Sequence, residues 1–302
     1  MYYSGKVRVS IMSLVKYEIL NAVIEYGSLT RAAEALNITQ SAVSHAISSL
    51  ESECGFSLLH RGRSGVRLTA DGERMIVYIR EILRWAELLN QEMSLIRGAE
   101  TGTVRIGTFA SVSTQWLPGI LKQFRVQHPG IGIKLWEGDY AEISAWLASG
   151  AIDLGFLSLG DSLPYDSIEL RKDRMMCILP LDHPLSTAET LPFELLLSEP
   201  FIMPKWGGDN EIERLIRQYA AKPDIIYEVA EDQAIMAMVR NGLGISLLPE
   251  MVLRGHEHEL ALIPLEGDPF RTIGLTCPSL DNLSPAAHRF IAAVQDWLAL
   301  EH

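Results

Sequence analysis

The first hundred residues carry apolar positions at helical spacing. Leu14, Ile19, Leu20, Val23 and Ile24 predict a helix that stops at Gly27. Ser28 can cap a second helix whose apolar face is Leu29, Ala32, Ala33 and Leu36. Asn37-Ile38 makes a tight turn, and Thr39 caps a third helix with Val43, Ile47 and Leu50 on one side. Cys54-Gly55 ends that helix, and Phe56, Leu58 and Leu59 turn back to the core. Thr69 then caps a long helix over about 70–96. In it Ile79, Ile82, Ala86, Leu89, Met93 and Ile96 recur alternately three and four apart, the spacing of a coiled-coil seam. A second apolar row, Ile76, Leu83, Leu88 and Leu95, runs beside it. Arg97-Gly98 through Gly102 reads as a hinge.

From Thr103 the pattern changes to short apolar runs alternating with helical stretches. Strands are predicted at 104–108, 131–136, 152–157, 174–180, 201–203, 225–229, 245–248 and 272–277. Helices are predicted at 115–128, 140–148, 191–197, 211–221, 232–240 and 285–298. Such alternation implies a mostly parallel α/β sheet.

The polar faces carry the chemistry. Opposite its apolar side, the third helix shows Gln40, Ser41, Ser44, His45 and Ser48, all short and uncharged. A solvated face usually recruits Glu and Lys; a face of small hydrogen-bonding groups suits a helix lying in a DNA major groove. The stretch HRGRSGVRLT at 60–69 places Arg61, Arg63 and Arg67 around Gly62 and Gly65, a basic hairpin able to follow a phosphate backbone.

These residues resemble the LysR-type transcriptional regulators. The resemblance is carried by GSLTRAAEALNITQSAVSHAISSLE, by Gly55, by Arg61 and by LTADG at 68–72, and it is close across 12–72. Leu59 stands where the family usually has Phe, and Met1–Ile11 lies upstream of the usual start, so Met12 is a candidate first residue. The resemblance implies a mixed fold with three parts. An all-α winged helix-turn-helix head spans 12–69, with the helix-turn-helix at about 29–48. A dimerisation linker helix follows at 70–97. The third part is a two-lobed α/β effector domain at 101–302, similar to type 2 periplasmic solute-binding proteins. Lobe one is about 101–173 and 268–302, and lobe two about 174–267. Gln40, Ser41, Ser44 and His45 would read bases. Thr39, Arg61, Arg63 and Arg67 would hold phosphates, with Ser28 and Arg31 in the same interface. Linker helices would join two copies antiparallel, and the homodimers would pair into homotetramers.

Charge divides the same way. Residues 1–68 hold seven Lys/Arg against five Asp/Glu, a net of +2; the rest hold nineteen against thirty-three, a net of −14. Only the basic end need meet DNA, and the acidic remainder disfavours non-specific wrapping.

Parallel sheets bind ligands beyond the carboxyl ends of their strands. Four loops occupy that position. Ala110, Ser111, Val112 and Ser113 follow the first strand, and Gly138 and Asp139, within Glu137–Tyr140, follow the second. Lys205, Trp206 and Gly207 follow Pro204, and Glu231 and Asp232 follow Ala230. Together they are the expected effector site. Lys205 beside Glu231 and Asp232 leaves the effector's charge open.

Other features point to plainer roles. Cys54, Cys177 and Cys277 are widely spaced with no CxxC, which suggests neither zinc nor a disulfide framework. The tract His256-Glu257-His258-Glu259 lacks the histidine spacing of a zinc helix. Gly242-Leu243-Gly244 reads as a turn. No catalytic constellation and no phosphate-binding glycine loop is evident, so neither an enzyme nor a bound cofactor is expected. No apolar run approaches the roughly 20 residues of a membrane span and no basic-then-apolar leader opens the chain, so a cytoplasmic protein is expected. Leu300-Glu301-His302 resembles the start of an expression tag. Two other readings stay open: a small-molecule binding protein with a vestigial head, and an enzyme fused to a DNA-binding head.

Overall fold

The computed structural model describes residues 13–62, 65–160, 164–205, 211–217 and 223–300. It divides into two compact units, the first holding the chain up to Gly98 together with Ala148–Ala151.

The first unit begins with helices α1 (Leu14–Tyr26), α2 (Leu29–Leu36) and α3 (Gln40–Cys54). Strands β1 (Leu59–Gly62) and β2 (Gly65–Leu68) form an antiparallel wing, and α4 (Ala70–Ile96) follows. The hydroxyl caps act as anticipated: Ser28 accepts from the Arg31 amide at 3.5 Å and Thr39 from the Ala42 amide at 3.2 Å. Thr69 accepts from the Gly72 amide at 2.9 Å and donates to the Ser57 carbonyl at 2.8 Å. Gly72 has no space for a side chain, because a Cβ there would lie 2.2 Å from the Leu58 carbonyl oxygen.

The core of this unit joins Tyr17, Leu20 and Val23 of α1, Ala32 and Ala33 of α2, Val43, Ile47 and Leu50 of α3, and Leu58 and Leu59. Ile76 and Ile79 of α4 complete it, so the start of the long helix belongs to the head's own core. Two expectations fail here. Phe56 and Leu14 are exposed rather than buried, whereas Tyr17, not named from the pattern, is buried.

The second unit contains two sheets threaded by one strand. Its elements begin with β3 (Gly102–Thr108), α5 (Ala110–Gln115), α6 (Leu117–Gln127), β4 (Ile131–Glu137) and α7 (Tyr140–Ala148). Next come β5 (Leu154–Ser158), β6 (Asp166–Leu179), α8 (Phe193–Leu196), β7 (Pro200–Pro204) and α9 (Glu211–Arg217). Then follow β8 (Asp224–Val229), α10 (Asp232–Arg240), β9 (Ser246–Pro249) and α11 (Glu250–Leu253). Strands β10 (Ala261–Pro264) and β11 (Phe270–Cys277) precede the closing helix α12 (Pro285–Leu300).

In the first lobe β3 lies parallel to β4 and β5, while β11 runs antiparallel to both β5 and β6. β6 pairs with β11 as far as Arg174, then runs on between β9 and β10 in the second lobe. The parallel pair β7–β8 joins that lobe through the bridge from Phe201 to Ile245. The sheets are therefore mixed, not mostly parallel. Every pair made by β6, the strand that passes from one lobe to the other, is antiparallel, as is common for added strands in large α/β sheets.

The run Met175–Leu179 shows why a central strand reads as unbroken hydrophobicity. Met175, Cys177 and Leu179 enter one cluster with Phe201 and Leu247; Met176 and Ile178 enter another with Ile235 and Leu248. Alternate side chains point to opposite faces, and both faces are covered.

Candidate nucleic-acid interface and effector cleft

On α3 the apolar residues Val43, Ile47 and Leu50 face inward, which leaves Gln40, Ser41 and His45 exposed and Ser44 half-buried. Thr39 Oγ1 and Ser41 Oγ are 3.0 Å apart, so the cap also ties down the first turn of this face. Arg31 is exposed on α2. Arg61 and Arg67 are exposed on the wing, but the ladder separates them. Arg61 pairs with Val66 and Arg67 with His60, which puts the two arginines on opposite faces of the hairpin. Arg63 lies outside the described residues.

One positioning residue was not foreseen. Glu51 Oε1 accepts from the amides of Leu58 and Leu59 at 2.8 and 3.1 Å, and its other oxygen stands 3.8 Å from Arg61. The end of α3 thereby sets the start of the wing. Lys16 of α1 donates to Ser49 at 2.9 Å and pairs with Glu53, bracing α3 from its other side.

In the second unit a cavity of about 310 Å³ lies between the lobes. It is lined by Phe109, Ala110 and Ser111, by Glu137 to Tyr140 with Glu142, by Lys205, by Ala230 to Asp232, and by Arg271. Members of all four anticipated loops thus meet in one space. Ala110, Ser111, Gly138, Asp139, Lys205, Glu231 and Asp232 line it. Val112 does not, because it is fully buried in the first-lobe core; Ser113 turns instead toward Thr108, 3.4 Å away. The cause is that 110–115 is a helical turn rather than a loop, so consecutive side chains diverge by about 100°. Trp206 and Gly207 lie outside the described residues.

A Cβ at Gly138 would approach Glu142 Oε2 to 2.5 Å and the Trp146 ring to 2.7 Å, so both side chains would have to shift to admit one. The start of α7 is closed by a reciprocal cap. Glu142 accepts from the Asp139 amide at 3.0 Å, and Asp139 accepts from the Glu142 amide at 2.8 Å.

The floor is Arg271, which sequence reasoning missed. Its side chain is 3 % exposed. Nε donates to Asp173 at 2.9 Å, one terminal nitrogen donates to Ser111 Oγ at 2.7 Å, and the other donates to Tyr140 Oη at 3.0 Å. The guanidinium also lies 5.1 Å from the Phe109 ring centre. Burial works against its charge, but the Asp173 and Glu211 carboxylates offset this, so it stays protonated. Burial pushes the Tyr140 hydroxyl well above its ordinary value, so it remains a neutral donor. A single arginine among the apolar residues of a strand gives no local sign of this role, because its partner is ninety-eight positions away.

A profile described as LysR substrate binding domain matches residues 97–299. A second, described as bacterial regulatory helix-turn-helix protein of the lysR family, matches residues 14–73. The uncharacterized HTH-type transcriptional regulator YvbU of Bacillus subtilis is 34% identical over 293 residues, 96% of this chain and 100% of that protein. The probable HTH-type transcriptional regulator LrrA of Synechococcus elongatus is 35% identical over 264 residues, 84% of this chain and 88% of that one. Among solved structures, a full-length OxyR variant from Pseudomonas aeruginosa superposes with a TM-score of 0.77 at 21% identity, covering 96% of this chain and 95% of that one. At that identity the likeness speaks for the fold alone. The head, the two-lobed domain and both profile matches together place this chain in the LysR family of DNA-binding transcriptional regulators, whose operator binding answers to a small-molecule effector.

Proposed function

We propose that this regulator reads its operator with the exposed face of α3: Gln40, Ser41, Ser44 and His45 contact base edges. Ser28, Arg31, Thr39, Arg61, Arg63 and Arg67 contact the backbone. The observation that carries this reading is that α3 buries Val43, Ile47 and Leu50 while presenting uncharged hydrogen-bonding groups beside an arginine-bearing wing. Both arginines of the wing on the described residues are exposed, as phosphate contacts must be.

Two copies join through α4. Ile76 and Ile79 are used by the head's own core, but Ile82, Leu89, Met93 and Ile96 remain exposed along the rest of the seam. Leu89 is 59% and Ile96 85% exposed, and a contiguous apolar row of this kind marks an interaction surface. A rod of roughly 40 Å would hold two heads at a set spacing, and homotetramers follow by pairing of dimers.

The effector occupies the cavity between the lobes, resting on Ser111 and Tyr140. Closure of the lobes changes which half-sites paired heads can occupy together. The compartment is the cytoplasm; among the described residues no helix is long and apolar enough to cross a membrane.

Selection of duplexes from a random pool by the purified chain tests the reading. A single enriched dyad motif is expected, protected as two half-sites in a footprint. Recovery of no preferred sequence would leave only a ligand-binding protein with a vestigial head.

A further inference from the structure

The charges of the cleft define what kind of effector fits. Its lining holds five carboxylates, Glu137, Asp139, Glu142, Glu231 and Asp232, against the two cations Lys205 and Arg271. Neither cation is uncommitted. Arg271 is paired with Asp173 at 2.8 Å, with Glu211 close enough to reinforce its charge, and Lys205 is 3.3 Å from Glu228. Asp139 and Glu142 are occupied by the cap of α7. Glu137 and Glu231 have no cationic partner among the described residues.

The floor has the opposite demand. Arg271 donates to the oxygens of both Ser111 and Tyr140, so each hydroxyl is held as an acceptor on one side. Neither hydroxyl proton has an acceptor among the described residues, although the Ser111 side chain is nine-tenths buried on the cavity wall. A buried hydroxyl with an unused proton wants an acceptor from a ligand. Two such donors on one floor suit a carboxylate.

We infer that the effector is a small zwitterion, an aminocarboxylate. Its carboxylate accepts from Ser111 and Tyr140, and its ammonium sits between Glu137 and Glu231. This rests on the cleft being the effector site. Glu137 ends β4 in the first lobe, and Glu231 precedes α10 in the second. Without a ligand these like charges oppose closure; a cation between them turns the repulsion into attraction and draws the lobes together. A plain anion would add a third negative charge to the same space. The walls of Phe109, Ala110 and Ala230 leave room for a short hydrocarbon spacer.

The test is isothermal titration of the full chain with the L-amino acids and the linear ω-aminocarboxylates from β-alanine to 6-aminohexanoate. Each compound that binds is compared with its deaminated acid and its decarboxylated amine. At least one zwitterion is expected to bind about tenfold or more tighter than either half. Glu231→Gln should abolish that advantage by weakening the zwitterion while the affinity for the acid holds or rises, because one like charge is gone, whereas Ser111→Ala should weaken both. An acid or inorganic phosphate that binds as tightly as any zwitterion, and still depends on Ser111, would remove the zwitterion and keep the cleft. Zwitterion binding untouched by Ser111→Ala would remove the cleft itself as the effector site. Silence from the whole panel at roughly 10 mM would overturn the zwitterion, since a ligand that weak could not stabilise the closed form.

Discussion

Arg271 and Asp173 face each other across the β11–β6 ladder, with Nε 2.9 Å from one carboxylate oxygen and both side chains almost wholly enclosed. The second carboxylate oxygen of Asp173 accepts from the Met251 amide at 3.0 Å, where α11 leaves β9. The pair therefore ties the cavity floor to the strands that cross between lobes. A buried ion pair is costly to break from one side, since the survivor keeps its desolvation penalty. Arg271→Ala should lower effector-domain stability by about 3–5 kcal/mol, and Asp173→Ala by a similar amount. The combined Arg271→Met, Asp173→Leu variant should recover much of the loss while losing effector binding. Urea denaturation measures the first effect and titration calorimetry the second; equal stability of all variants would show the pair to be dispensable.

Replacing Ser44 and His45 together by Ala removes two of the proposed reading groups without touching the buried Val43 and Ile47. Sequence discrimination should fall by about 1–3 kcal/mol per lost base contact, with the weak salt-dependent component retained. Anisotropy titrations on operator and scrambled duplexes at several salt concentrations check this. If the operator keeps its advantage, another surface reads the bases.

Leu89→Glu places charge on the exposed row of α4 far from either core. Burial of a leucine is worth roughly 1.5–3 kcal/mol, and each dimer loses two. Sedimentation should show monomers at concentrations where the parent chain is dimeric, with operator affinity falling in parallel. An unaltered mass would refute pairing through this helix.

Gly72→Ala sets two effects of opposite sign against each other. Helix propensity favours Ala by about 1 kcal/mol. Its Cβ, however, would sit 2.2 Å from the Leu58 carbonyl oxygen, so the α4 start must move away from the wing. The steric cost should win, with net loss of about 2 kcal/mol in the head. Differential scanning calorimetry should show the head transition moved down and the effector-domain transition unmoved.

The thiols give a pH prediction. Burial pushes the Cys277 thiol from 9.0 up to about 11, and burial pushes Cys177 further in the same direction. Below pH 9 both folded and unfolded forms keep the proton, so stability is unaffected. Between about 9 and 11 the unfolded chain loses its proton first, and stability declines with rising pH. At pH 8 neither thiol should react with a disulfide reagent until the chain unfolds, while half-buried Cys54 reacts slowly. Rapid modification of all three in the native state would contradict the burial.

Legibility followed the range of the cause. The bounds of α4 and α10 are evident in the residues themselves, because the Thr69 cap of α4 and the periodic apolar face of each helix act within one or two turns. The segment 110–115 is different. Ser, Val and Thr are weak helix formers, and it becomes helical because Val112 and Trp116 are buried in the first-lobe core. β6 begins at Asp166, well before its apolar run at Met175, since its charged first half is held by the ladder to β11 rather than by hydrophobicity. β10 and α11 are apolar but only four residues long, too short for a periodicity to distinguish strand from helix, and they form by docking on β6 and β9.

Residue order alone determined the reader head, its caps, the linker helix and the alternation of strands and helices, because those depend on neighbours within a few positions. Only the tertiary structure decided which polar groups share the cleft. It brought Ser111, Tyr140 and Asp173 around Arg271, faced Glu137 toward the same cavity as Glu231, and turned Val112 and Ser113 away. Such a site is assembled by strand register and lobe packing between segments some hundred residues apart, and no local pattern records it.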